Sequence, residues 1–521
     1  MKLNDRTWVV IIALICLVYV SLHVWNLTDS CLWFDEIFGI HAAELDWANL
    51  FWFVAQDLIH PPLFYALLKI WISVGGESLF WLRFFPVFFS TLAVVPFILL
   101  CRRLNLSLPT IALALTFFAV NGSLIKYAQE VRMYSLLLCF GLFSLWLFVR
   151  FLDSGKGFFL LILANILLVY SHYFGWLIIA SEVLAIAILA RGKLKQILLM
   201  LIAVVLSFAP WIYALWQATL INSNVGQNIG WMKKPNLLSV FRFVLDLFQP
   251  IFFEQSNSDQ NNLERIIMAA ITLPLLAVGI IAFGFYLADW KNESAIGKRN
   301  FTLLTIFLLA PLFIALMGSW ILPYSIWGTR HLIIAFAPLV ILQAIAFSKI
   351  KFWQSRTACL SLIFLLFGAA FLFQATRAEP KYIWCAWENL ANHLYESTLH
   401  GEDADNIRLY TYEDLVAYHF WFALRDSDRE FQIVKVNGAA GMTEDKAYFL
   451  PRGFDGIQTV SEDEIKGERF FVAFRGKSWN ELAPPLQNLK TRGYKIGEPQ
   501  TLEAQGLKAF LVEVQKSETR P

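Results

Sequence analysis

Apolar residues fill long, nearly unbroken blocks over the first 376 positions, and polar residues gather at the joints between them. A membrane-spanning helix needs roughly 20 apolar residues, with about 17 as the usual lower limit. Eleven blocks read as spans, several of them short: 8–24, 79–100, 109–123, 133–151, 158–171, 174–190, 196–216, 263–288, 300–317, 331–348 and 357–375. The stretch 62–74 is also apolar but falls short of a span. It begins after a Pro-Pro pair that cannot continue a helix, so it predicts an element lying along the membrane interface or re-entering it.

The joints alternate in character. One set carries Lys2 and Arg6; Arg102 and Arg103; Arg150 and Lys156; Arg191, Lys193 and Lys195; Lys291, Lys298 and Arg299; and Lys349, Lys351 and Arg356. Basic residues in short joints mark the cytoplasmic side. The other set is longer, richer in Trp and often acidic, and is therefore external. Eleven spans with the N-terminus inside put the C-terminus outside. The tightest place is 158–190, where two spans share a turn of only Ser171, His172 and Tyr173. A single tilted helix there would move Arg191, Lys193 and Lys195 outside, against the same rule. No small-residue cleavage site follows the first block, so 8–24 is expected to stay as a span rather than act as a signal peptide.

After Phe373 the pattern changes. Residues 377–521 are charged and hold no long apolar block. Short β-type runs at 407–410, 431–436, 470–474 and 509–514 alternate with helical patterns at 387–395, 415–424 and 479–489, which predicts a small α/β domain. The expected architecture is a polytopic α-helical membrane domain over 1–376, with external loops, and a soluble extracytoplasmic α/β domain over 377–521.

Composition removes the soluble alternative. Of 521 residues 58% are hydrophobic, and only 16% are charged, against about 25% in an average soluble protein. Mean hydropathy is +0.57. A net charge of +2 gives no footprint for nucleic acid. The six cysteines show neither CxxC nor zinc spacing. Cys31 and Cys385 both fall on the external side and could pair, but the reading adopted is two free thiols.

Four polar constellations stand out, all on external joints. Trp33–Glu36 reads W-F-D-E and holds Asp35 and Glu36 against Trp33, Phe34, Ile37 and Phe38. A carboxylate held partly out of water at an apolar interface becomes a better base. Adjacent side chains need not point the same way, so one acid is expected to be catalytic and the other structural. The second is Q-E-V-R-M-Y over 129–134, with Glu130 as a further acid and Arg132 as a cation for an anionic substrate, unless the two simply pair. The third is W-G-T-R-H over 327–331, where Arg330 could snorkel or could grip a phosphate at headgroup depth. The fourth is Y-S-H-Y-F over 170–174, whose His172 could be a packing residue; His60 and His172 could share a metal with Asp35, though the spacing does not require it. Arg83 opens the second span, where a snorkelling role is the plain alternative.

In order, W-F-D-E, H-P-P-L-F-Y-A-L-L-K-I-W, L-R-F-F-P-V, Q-E-V-R-M-Y, S-H-Y-F-G and G-T-R-H-L closely resemble bacterial members of glycosyltransferase family 39, relatives of the protein O-mannosyltransferases and of the lipid A aminoarabinose transferase, with the C-type glycosyltransferase fold. The likeness covers about 8–376. It implies an inverting transfer of a sugar from a polyprenyl-phosphate donor to an acceptor glycan, lipid or protein on the external face of the plasma (inner) membrane. It further implies Asp35 as the catalytic aspartate, with Glu36 completing the motif and Glu130 as a second acid. Arg330 is implied as the phosphate ligand, with Arg132 and Arg83 as weaker candidates, His60 orienting the first loop, and Tyr134 and His172 among the substrate-binding residues. No cofactor is implied with certainty, and a divalent metal stays open. The C-terminal region lacks the β-trefoil character of the eukaryotic mannosyltransferases, which favours a bacterial enzyme, whereas E-P-K-Y-I-W-C-A-W-E-N-L looks like the start of the soluble domain of bacterial members.

Rival readings differ in where they put their polar residues. A transporter or flippase of lipid-linked or small-molecule substrates would place ionisable groups at mid-membrane, where Glu182 is the chief example here. An O-antigen ligase or polymerase would centre on a large late loop. A binding module on a membrane anchor would not need eleven spans.

Overall fold

The computed structural model describes residues 4–221, 230–251, 262–377, 382–398, 407–438, 448–481, 483–504 and 506–517. The chain divides into two compact units. One comprises Met1–Leu27, Ala42–Glu254 and Gln260–Arg377; the other comprises Ala378–Pro521 with Thr28–His41 and Gln255–Asp259. The second unit thus includes a segment from near the N-terminus, and that segment carries Asp35 and Glu36.

The membrane unit is built from helices. In chain order they are α1 (Asp5–Val24), α2 (Phe34–Glu44, which crosses between the units), α3 (Trp47–Asp57), α4 (Leu63–Gly75), α5 (Leu79–Arg103), α6 (Leu108–Val120), α7 (Gly122–Ala128) and α8 (Tyr134–Ser154). They continue with α9 (Phe158–Ser171), α10 (Gly175–Leu189), α11 (Leu194–Leu220), α12 (Leu237–Phe248), α13 (Asn262–Ala288), α14 (Ala295–Ile321), α15 (Phe336–Ser348) and α16 (Trp353–Thr376). Eleven apolar helices, α1, α5, α6, α8–α11 and α13–α16, stand where the eleven apolar blocks predict them. Seven of the helices are long and apolar enough to cross a bilayer by themselves. The protein is a polytopic α-helical membrane protein. Its central helix α8 is largely buried against α5 and α9, while α1 and α16 turn apolar side chains such as Leu17 and Leu365 outward, as lipid-facing helices do.

Local chemistry sets the joints. The Asp46 carboxylate caps α3 by accepting the Ala48 and Asn49 amides at 3.0 and 3.1 Å. Lys69 of α4 donates to the carbonyls of Ala43 and Leu45, at 3.1 and 2.6 Å, and so closes the C-terminal end of α2. The tight turn between α9 and α10 exists because residue 175 is glycine: a Cβ there would meet the Leu168 carbonyl oxygen at 2.9 Å. The 62–74 stretch forms α4, a helix of 13 residues, about 20 Å long and too short for the hydrocarbon core. Glu182 lies inside the bundle and is fully buried. It is engaged by Ser144 at 2.6 Å and Asn165 at 2.8 Å, an interhelical polar knot linking α8, α9 and α10.

The second unit is a mixed seven-stranded sheet with helices on both faces. Its elements are α17 (Ile383–Thr398), β1 (Ile407–Thr411), α18 (Asp414–Leu424), β2 (Phe431–Asn437), β3 (Gln458–Ser461), β4 (Arg469–Gly476), α19 (Pro484–Thr491), β5 (Tyr494–Ile496), β6 (Gln500–Ala504) and β7 (Leu507–Lys516). The strand order is β3-β2-β1-β4-β7-β5, with β6 also paired to β7. β1, β2, β3 and β4 run parallel, in register Leu409 with Ile433 and Tyr410 with Val472; β7 returns antiparallel, Val472 opposite Val512. One face packs Tyr410, Val434, Val472, Phe510 and Val512 under Leu486 and Leu489 of α19. α17 and α18 pack on the sheet through β6, β7, β1 and β2.

Two expectations change here. Cys31 and Cys385 are not free thiols: they form a disulfide across 354 residues, with Cα atoms 5.2 Å apart. The helical pattern expected over 479–489 starts only at Pro484, since two prolines are tolerated in a first turn and not deeper. The strands β3, β5 and β6 lie outside the predicted β-type runs, and β5 has only three residues.

Candidate active site

The membrane unit gathers most of the polar residues singled out from the sequence. His60 follows α3 in the joint before α4, Arg132 lies in the loop before α8, Tyr134 opens α8, and His172 sits in the α9–α10 turn. All four are buried. The Arg132 Nη2 lies 3.5 Å from both ring nitrogens of His60. The His60 and His172 rings are 5.5 Å apart, and Tyr134 is 6.3 Å from His172. His331, next to Arg330, completes the group. Its ring is 5.5 Å from His172, 6.3 Å from Tyr134 and 5.0 Å from Phe174.

Two guanidinium groups act on all three imidazoles. Burial, and then the charges of Arg132 and Arg330, hold the His60 imidazole well below its ordinary pKa. His172 is lowered by burial and by the same groups, and His331 by burial and by Arg330 first among its neighbours. Neutral imidazoles beside two guanidinium groups offer N–H donors without adding charge. His172 has a defined tautomer: the Phe174 amide donates to its Nδ1 at 3.0 Å, so the ring proton sits on Nε2. That buried Nε2 meets no hydrogen-bond partner among the described residues, nor does Nδ1 of His331.

Two further groups belong here. The Tyr127 phenol of α7 is pushed well above its ordinary range by burial and by the carboxylates of Glu130 and Asp246, with Arg330 opposing. Glu130 and Arg330 are therefore on the same cluster, both half-buried. Asp246 was not anticipated. It lies on α12, whose amphipathic pattern L-L-S-V-F-R-F-V-L-D-L-F carried the signal. It accepts a hydrogen bond from Thr329 at 2.6 Å, which fixes the G-T-R-H turn beside Arg330. α12 is itself tied down, since Asn121 donates to the Leu247 carbonyl at 3.1 Å and the Gly122 amide to the Gln249 carbonyl at 2.8 Å. His331 was also missed, although it is the last residue of the W-G-T-R-H motif. Arg83 is buried rather than snorkelling, and its Nη1 donates to the Leu27 carbonyl at 3.0 Å, which gives it a structural duty at the end of the first span.

The acids Asp35 and Glu36 belong to the other unit. Both fall in the first turn of α2. Glu36 is fully buried, and its Oε2 accepts the Trp33 amide at 3.1 Å, half of a capping box that fixes where the helix begins. Asp35 is half-buried between Phe34 and Glu36, which are both buried. Geometry thus separates two adjacent carboxylates into one that is fully buried and caps the turn and one that is half-buried. Among the described residues no group of three or more His, Cys, Asp and Glu is arranged to hold a metal.

No protein-family model matches the chain, and no curated protein sequence does. Among solved structures the chain is similar to ArnT from Cupriavidus metallidurans bound to undecaprenyl phosphate, with 11% identity over 98% of this chain and 98% of that one and a TM-score of 0.61. It is also similar to the archaeal oligosaccharyltransferase AglB from Archaeoglobus fulgidus in complex with an inhibitory peptide and a dolichol-phosphate, with 14% identity, 80% and 63% coverage and a TM-score of 0.48. The protein O-mannosyltransferase complex of S. cerevisiae bound to the sugar donor matches 44% of this chain and 36% of its own, with 15% identity and a TM-score of 0.32.

Proposed function

From the C-type glycosyltransferase fold of this chain we propose a membrane glycosyltransferase that moves a sugar from a polyprenyl-phosphate donor to a hydroxyl of an acceptor glycan, lipid or protein. The observation that carries this reading is the cluster of Arg132, Arg330, His60, His172 and His331 in the membrane unit, two guanidinium groups among three imidazoles whose pKa values are lowered. It suits a lipid phosphate whose tail stays in the bilayer. The similar ArnT structure holds undecaprenyl phosphate, which favours that class of donor.

The chemistry is a single displacement. The acceptor oxygen forms a bond to the anomeric carbon as the bond to the phosphate oxygen breaks, and the configuration inverts. The acceptor proton passes to the Asp35 carboxylate. The electron pair leaves with the polyprenyl phosphate, whose growing negative charge meets the two guanidinium groups and the His172 Nε2–H. A phosphate is a good leaving group, so a base and cations are sufficient and no strong acid is required. Asp246 holds the turn beside Arg330 through Thr329, Glu130 is the second acid of the cluster, and Glu36 builds the turn that presents Asp35.

The Cys31–Cys385 bond favours an extracytoplasmic setting for the α/β unit, since disulfides persist in oxidising compartments. This agrees with the basic joints that put the N-terminus in the cytoplasm and the C-terminus outside. The test is incubation of the purified full chain in lipid with a panel of polyprenyl-phosphate sugars, with and without a chelator. Release of free polyprenyl phosphate and sugar transfer that depends on Asp35 are expected. Carrier binding without any cleavage of the sugar–phosphate bond across the panel would favour a flippase instead, and loss with chelator would bring in a metal.

A further inference from the structure

The segment that carries Asp35 is bracketed by contacts with the α/β unit. Four residues before Asp35, Cys31 is bonded to Cys385 in the first turn of α17, and the Cys31 amide donates to the Cys385 sulfur at 3.0 Å. Trp33 leans on Trp384 at 6.5 Å. Phe34 is buried with its ring 5.2 Å from both Tyr418 and Tyr448. Six residues after Asp35, His41 lies 2.8 Å from the Tyr418 hydroxyl through its Nδ1, and its ring packs on Trp421 at 4.7 Å and Phe454 at 5.1 Å. Within this run Asp35 is half-buried, between the buried Phe34 and Glu36.

We propose that the α/β unit is the holder of the Asp35 helix turn, with Cys31, Cys385 and Tyr418 as positioning residues, and that the disulfide makes sugar transfer sensitive to thiol reductants. The argument rests on Asp35 being the base. A short segment of chain has many conformations, and a base misplaced by about 1 Å loses most of its effect, on the order of a hundredfold. Aromatic packing fixes one face of the turn, and the covalent bond fixes its entry. The noncovalent part acts in the reduced protein too, so the reduced enzyme is slowed and not dissolved. Reduction is a balanced exchange: a dithiol such as dithiothreitol gives two electrons and two protons to the Cys31–Cys385 bond, yielding two thiols and its own cyclic disulfide. The arginines proposed to bind the donor phosphate belong to the other unit, so the loss falls on turnover and not on donor binding.

The experiment uses the full chain in lipid nanodiscs. Wild type before and after dithiothreitol, Cys31→Ser/Cys385→Ser and Tyr418→Phe are compared for transfer kcat, donor KM and amide exchange over 30–41. Reduction is expected to lower kcat at least tenfold, to leave donor KM within about twofold, and to raise exchange over 30–41. Reoxidation restores all three. The double variant is expected to match the reduced wild type and to ignore dithiothreitol. Tyr418→Phe, which keeps the ring and loses the contact with His41, should raise exchange near His41 with the disulfide intact. Unchanged kcat and exchange after reduction, verified by alkylation of both thiols, would overturn the proposal. So would a double variant that still responds to dithiothreitol. If the double variant does not fold, the reduced wild type decides. If Asp35→Asn turns over normally, the base reading fails, while exchange over 30–41 still reports whether the α/β unit holds the turn.

Discussion

Nδ1 of His172 accepts the backbone amide of Phe174 at 3.0 Å, and this one bond decides which end of the ring can serve a ligand. The proton is confined to Nε2, on a ring whose pKa is lowered by burial and by neighbours that include Arg132 and Arg330. His172→Phe keeps the ring packing against Phe174 and removes the donor. A hydrogen bond to a charged group contributes about 1.5–3 kcal/mol. Donor KM or kcat should therefore worsen by roughly tenfold to a hundredfold. Kinetics indistinguishable from wild type would place His172 among packing residues.

The three pocket histidines set the sign of a pH effect. Each is held below its unfolded pKa of about 6.5 by burial and neighbouring cations. The unfolded chain therefore binds more protons than the folded one below that value. Their contribution is fully present above about pH 6.5 and is lost as pH falls, by up to about 1.4 kcal/mol per pH unit for each histidine. In the α/β unit, His41 and His419 act in the same direction, their pKa values lowered to about 4 and about 3, by burial in both and by Arg425 in addition for His41. Thermal melts of the purified protein between pH 7.5 and 5 should show a falling Tm, and a flat profile would contradict the assignment.

The two adjacent acids should separate on mutation. Asp35→Asn is expected to cut transfer by about a hundredfold to ten-thousandfold, the range of a general base, with membrane insertion intact. Glu36→Gln retains an oxygen that can accept the Trp33 amide and should be milder. Glu36→Ala loses that cap, which is worth about 0.5–2 kcal/mol, and should lower stability as well as rate. Equal losses for Asp35→Asn and Glu36→Gln with unchanged stability would mean that both carboxylates share the chemistry.

Arg330 and Asp246 should act as a pair through Thr329. Arg330→Ala is expected to raise donor KM by tenfold or more. Asp246→Asn weakens the hold on the Thr329 hydroxyl, which should shift donor KM less and leave some binding. Binding of a fluorescent polyprenyl phosphate to both variants reads this directly; affinity unaltered by Arg330→Ala would remove it from the phosphate site.

The periodicity of the chain determined the eleven apolar helices, the break near residue 377 and the α/β character beyond it, because burial in lipid or in a sheet imposes a repeat that a sequence displays. Residue chemistry marked Asp35, Glu130, Arg132, His172 and Arg330 without a view of their neighbours. Tertiary structure alone decided which of them meet. It drew Asp246 from α12 and His331 from the end of a motif into the cluster of Arg330, and it gave Glu36 to a helix cap. It also assigned Thr28–His41 to the C-terminal unit and joined Cys31 to Cys385. Contacts between residues hundreds of positions apart follow from how helices and sheets pack, and no local pattern encodes that distance.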